Sequence, residues 1–233
     1  WAAGGSMRIV ARKYGATSDD WTGGGTIRTS TTPGDSGIRL FDSIVHKGRL
    51  VVVTTNGNNA TVVTLAVLDS PDAITWTLRN GTGFPATDEY HLIAVDQRNN
   101  FDDDGGRLLN FGNTLMVALH DNRVAGTGQF IRIFYTTDQG TNWTAGAVVP
   151  SGSGSKAFVA WRNPLSAGNP VVPVLVTAEG IYRVDSAGTT FDRLFELDGD
   201  PNNGRWAVVG LDGALWVPLG SGAILRLEIE GDN

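Results

Sequence analysis

Two loops of this sequence gather hard oxygen donors of the kind a divalent cation prefers. Asp198-Gly199-Asp200-Pro201-Asn202-Asn203-Gly204 sets side-chain oxygens at Asp198, Asp200 and Asn202, and Asn99-Asn100-Phe101-Asp102-Asp103-Asp104-Gly105-Gly106 packs three carboxylates into a Gly-ended loop. Oxygen ligands at every second position suit Ca2+. The first loop is the better match, although it lacks a distal bidentate Glu, and solvated acidic turns of the same composition are common. No cofactor is expected, Ca2+ being the one ion these loops could hold.

A second chemistry belongs to aromatic and charged side chains taken together. His91, Asp96, Arg98, Trp161, Arg162, Arg205 and Trp206 are the candidates for a ligand-binding platform. Aromatic faces stack on the apolar faces of sugars while charged groups fix hydroxyls. The platform requires that these residues stand at the starts of strands sharing one central channel. The ordinary alternative is that they pack between sheets or line a rim.

Other chemistries are disfavoured. The three histidines, His46, His91 and His120, have no paired spacing for a transition metal, and no Gly-x-Ser-x-Gly elbow or phosphate-binding glycine loop occurs. The absence of Cys removes disulfides, thiolate metal sites and thiol nucleophiles. A net charge of -6, with Lys only at Lys13, Lys47 and Lys156, leaves no basic patch, so nucleic acid is not an expected partner. No apolar run is long enough to span a bilayer, and the start at Trp1 suggests a processed product or part of something longer.

The elements that must position these residues are strands. Apolar runs are short, rich in Val, Ile and Leu, and bounded by Gly, Asn, Asp or Pro, and helical periodicity is nearly absent. The runs recur in one order. The clearest unit goes from Arg107 to Val149, with turns at Gly112-Asn113 and before Trp143. A second copy runs from Ile38 to Trp76, a third from Phe158 to Phe191, and a fourth starts at Arg205-Trp206. The aromatic anchors Trp21, Trp76, Trp143 and Phe191 recur at intervals near the ~40 to 50 residues of propeller blades, lengthened by loops.

Within the clearest unit, Thr136-Thr137-Asp138-Gln139-Gly140-Thr141-Asn142-Trp143 resembles the Asp-box of sialidases and related propellers, matching at Thr136, Asp138, Gly140 and Trp143. In that family the motif joins the third and fourth strands of a blade and serves the fold. Ser70 to Trp76 and Val184 to Phe191 read as decayed copies, the latter with Ser186 at the Asp position. The resemblance implies an all-β chain of antiparallel four-stranded blades. It predicts a β-propeller of four or five blades, or part of a six- or seven-blade ring, with 1–233 as a single domain.

Sialidase-like catalysis would need three arginines, a Tyr activated by a Glu, and an acid/base Asp. Arg8-Ile9-Val10 and Arg132-Ile133-Phe134 carry only the first two residues of that family's arginine motif. The sequence therefore points to a non-catalytic binding or assembly module, recognising protein or glycan on an extracellular or virion surface. A sialidase-like glycoside hydrolase and a structural oligomer subunit are the alternatives.

Overall fold

The computed structural model describes residues 6–12, 21–29, 40–55, 65–71, 75–84, 106–121, 130–151, 155–162, 168, 170–200, 203–204 and 207–228. Among them no helix occurs. Among the described residues, seventeen strands form five antiparallel sheets. β1 (Ser6–Arg12) pairs with β2 (Trp21–Thr29). The second sheet is the meander β3 (Leu40–His46), β4 (Arg49–Thr55), β5 (Leu65–Ser70) and β6 (Thr77–Leu78). The third is β7 (Arg107–Phe111), β8 (Thr114–Asp121), β9 (Phe130–Thr136) and β10 (Thr144–Pro150). β11 (Ser155–Arg162), β12 (Val171–Thr177), β13 (Gly180–Val184) and β14 (Phe191–Glu196) make the fourth. The last has three strands, β15 (Val208–Val209), β16 (Leu215–Pro218) and β17 (Ile224–Leu227).

The first strands of successive sheets, β3, β7, β11 and β15, lie side by side. Each of these four sheets therefore radiates outward from a shared inner row, the arrangement of propeller blades. The apolar runs follow from this. Leu115 to Leu119 on β8 are all buried because both faces of the blade are covered. With the two-residue period of a strand, Leu115, Val117 and Leu119 pack against Val51, Val53 and Val67 of the preceding blade. Met116 and Ala118 pack the other way, with Phe158, Leu175 and Tyr182 of the next. A third cluster joins Trp161, Val174, Val176 and Ile181 to Leu215 and Val217.

Local turns close the hairpins. Lys47 and Gly48 both take positive φ, 48° and 73°, between β3 and β4. A two-residue turn of this hand matches the right-handed twist of the strands it joins.

Candidate active site

The inner row carries one carboxylate that the sequence did not single out. Asp42 lies on β3, half-buried, and reaches across to the next blade. Its Oδ2 accepts the Leu108 N–H of β7 at 2.8 Å, and its Oδ1 accepts the Ser43 N–H at 2.7 Å. Two positions along the same seam, Asn110 Nδ2 donates to the Val45 carbonyl at 3.0 Å. Burial pushes the Asp42 carboxyl above its ordinary value, against the opposing pull of the Leu108 and Ser43 amides and the Arg107 charge. A carboxyl that keeps its proton to higher pH at a propeller's inner seam can serve as a general acid. The sequence signal was a lone carboxylate inside the run Leu40-Phe41-Asp42-Ser43-Ile44-Val45.

The sequence candidates fare unevenly. His91, Asp96, Arg98, Asn202, Arg205 and Trp206 lie outside the described residues. Trp161 and Arg162 sit at the end of β11, not at its start. Trp161 is 0% exposed, and its indole N–H donates to the Gly213 carbonyl of the next blade at 3.0 Å. The expectation of a stacking platform is corrected at this residue, because neither ring face is open to a ligand. Arg162 is exposed beside it.

Asp198 serves its own turn. Its Oδ1 accepts the Asp200 N–H at 3.1 Å and the Asn203 side-chain amide, which lower its pKa, the Asn203 bond foremost. Asn203, 1% exposed, also donates to the Ala178 carbonyl and accepts the Gly220 N–H, tying this loop to the β16–β17 turn. Among the described residues no three or more His, Asp or Glu side chains converge to hold a metal.

The turn between β9 and β10 takes its shape from hydrogen bonds among its own residues. The N–H groups of Asp138 and Gly140 donate to Thr136 Oγ1, at 3.3 and 3.0 Å, and that hydroxyl donates to Asp138 Oδ1 at 2.8 Å. Asp138 Oδ1 also accepts the Asn142 N–H at 2.9 Å, and Oδ2 the Asn142 side-chain amide at 2.7 Å. Gln139 and Gly140 take φ of 60° and 81°. Trp143, 5% exposed, donates its indole N–H to the Arg79 carbonyl of the preceding blade at 2.7 Å and packs its ring 5.1 Å from Phe84. The chain after β6 runs alongside, with Thr82 N–H donating to Thr141 O and Trp143 N–H to Thr82 O. The turn is a clasp between two blades.

The same clasp recurs one blade on, with a correction to the sequence reading. Asp185, not Ser186, holds the β13–β14 turn. It accepts the backbone N–H groups of Thr189 and Thr190 and the Thr189 hydroxyl. Gly188 O then accepts the Ala147 N–H of β10 at 2.8 Å.

The clasp has a pH signature. The Asn142 amide N–H, its side chain and the Thr136 hydroxyl hold Asp138 down from 3.8 to about 2. A carboxylate with its folded pKa depressed contributes stability that is present above its unfolded value and lost as pH falls through the folded one. Acidification from 3.8 to about 2 is therefore expected to narrow the melting-temperature gap between the native chain and Asp138→Ala. Thermal melts across that range measure it, and a gap independent of pH would contradict it.

No protein-family model matches the sequence, and no curated protein sequence matches it. Among solved structures, Penicillium chrysogenum alpha-L-arabinanase complexed with arabinobiose is similar over 97% of this chain and 68% of its own, at 13% identity and a TM-score of 0.55. A Dyadobacter fermentans protein of unknown function is similar over 98% and 69%, at 15% identity and a TM-score of 0.55. Zg3597 of Zobellia galactanivorans, a family 117 glycoside hydrolase, aligns over 96% and 75%, at 11% identity and a TM-score of 0.46. The expectation of a non-catalytic binding or assembly module is corrected by the alpha-L-arabinanase, whose own activity is catalytic. What the likeness establishes for this chain is its fold, an all-β propeller of antiparallel four-stranded blades.

Proposed function

We propose that this chain is a glycan-cleaving propeller, a glycoside hydrolase in which Asp42 is the acid/base carboxyl. The observation that carries the reading is the carboxyl itself, half-buried on an innermost strand with its pKa raised by burial. The fold shared with an arabinanase crystallised with arabinobiose supports it, and arabino-oligosaccharides are the substrates we would try first. Most glycosidases flank the scissile bond with two carboxyl groups. The partner we assign by sequence is one of Asp102, Asp103 and Asp104, which lead into β7, the strand beside Asp42. The turn Thr136 to Trp143 is the Asp-box of sialidase-related propellers, serving the fold, and the chain acts as one domain on glycans outside the cell.

The test is release of reducing ends from arabino-oligosaccharides, with sialyl conjugates alongside, by the native chain and by Asp42→Asn. Asn retains an oxygen to accept the Leu108 N–H, so the seam is kept while the proton is lost. Activity is expected to fall about 10²- to 10⁴-fold, the range that general acid–base groups supply, with the melting temperature little changed. Full activity in Asp42→Asn would remove Asp42 from the chemistry. Binding of glycans with no cleavage of any would overturn the hydrolase reading.

A further inference from the structure

At the end of the β3–β4 hairpin, next to the Asp138 turn, a small cavity lies between two blades. It is lined by His46, Arg49, Val51, Val67, Asp69, Arg79, Leu115 and Gln139, of which His46, Asp69, Arg79 and Gln139 carry the argument. His46 is 2% exposed, and its Nδ1 lies 2.9 Å from Asn110 Oδ1. Asn110 spends its amide hydrogens on the Val45 carbonyl at 3.0 Å, so its oxygen is the atom facing the imidazole. An amide oxygen only accepts, so His46 Nδ1 must carry a proton, and in the neutral ring Nε2 then presents a lone pair.

That lone pair is buried and meets no donor among the described protein atoms. A buried acceptor left unmatched costs about 1 to 3 kcal/mol, and such groups in native proteins are met by protein or by ordered water. The neighbouring charges limit the occupant. Asp69 is already claimed by two hydrogen bonds from Arg49, Nε at 2.6 Å and Nη2 at 2.9 Å. Arg79 Nε lies 2.9 Å from Asp69 as an ion pair without hydrogen-bond geometry and is itself an unmatched buried donor. The two guanidiniums repel a cation, and a lone pair on Nε2 repels an anion. A neutral molecule that both donates and accepts is left, and the cavity's ≈ 10 Å³ has room for one water.

We infer that a single water is bound here as a fixed part of the fold, donating to His46 Nε2. Its other partners come from Asp69, Arg79 and Gln139 on the cavity wall. Gln139 belongs to the clasp turn of the next blade, so the water links the β3–β4 hairpin to that turn in addition to the direct bond from Lys47 Nζ to the Thr137 carbonyl at 2.7 Å. This inference does not rest on the catalytic reading.

Two measurements on the unaltered chain test it. A crystal structure at high resolution is expected to show one density peak within hydrogen-bonding distance of His46 Nε2. Nitrogen and carbon NMR of labelled histidine, with His46 identified by loss of its signals in His46→Asn, is expected to place the proton at Nδ1 and none at Nε2. A cavity without a peak, or a ring protonated at Nε2, would overturn the inference. Should His46→Asn not fold, assignment through bonds to the backbone replaces it, and the crystallographic outcome stands unaided.

Discussion

Replacing Trp143 with alanine is expected to lower the free energy of unfolding by about 3 to 5 kcal/mol, the range for emptying a buried aromatic site. The ring is 5% exposed, belongs to the cluster joining two blades, and stands 5.1 Å from Phe84. Its indole N–H is also the donor for the Arg79 carbonyl across the blade interface. Trp143→Phe separates the two effects. It keeps most of the apolar contact and removes only the hydrogen bond, at a cost of roughly 1 to 3 kcal/mol if the carbonyl is left unmatched. Urea unfolding of the three chains measures the series. An alanine variant within about 1 kcal/mol of the native chain would mean that the ring does not anchor the blades, since that is the size of an ordinary substitution.

The second large effect is expected at the other clasp. A Cβ added at Gly146 would stand 1.9 Å from the Gly188 carbonyl oxygen, which already accepts the Ala147 N–H at 2.8 Å. The obstacle is backbone, so neither side can yield without breaking that bond, and Gly146→Ala is expected to cost about 3 kcal/mol, the upper part of the range for overpacking. Gly112→Ala is the contrast. Gly112 has a φ of 61° and open space around its Cβ position, so only backbone strain of about 1 kcal/mol applies. Equal losses at the two glycines, read from denaturant midpoints, would show that the close approach of the blades at Gly146 is not a constraint.

These expectations mark how far the sequence could be read. The Thr136 to Trp143 turn was legible because its hydrogen bonds join residues two to four positions apart, so spacing alone encodes them. In the neighbouring copy the motif spacing points to Ser186, but Asp185 holds the turn. Asp185 stands one position farther from its glycine than Asp138 does from Gly140, yet it reaches the same amide four residues ahead. Reach to the amide, not distance to the glycine, decides which carboxylate holds the turn.

Trp161 and Asp42 show where local reading ends. The expectation of a ligand platform treated Trp161 as the opening of an inner strand, whereas it closes β11 and is covered through Gly213, 52 positions on. Asp42 acquires its raised pKa by burial and its main bond from Leu108, 66 positions on, and no pattern within Leu40 to His46 announces either.

By itself the sequence determined the strands, their order within each blade and the turns between them. Alternation of side chains and the conformational needs of Gly, Asp and Asn act over a few residues. Only the tertiary structure decided which strand end meets which neighbour, which carboxylate is buried, and which tryptophan is core. Those outcomes depend on the seams between blades, where the partners are tens of residues apart and desolvation is set by the blade that arrives from elsewhere in the chain.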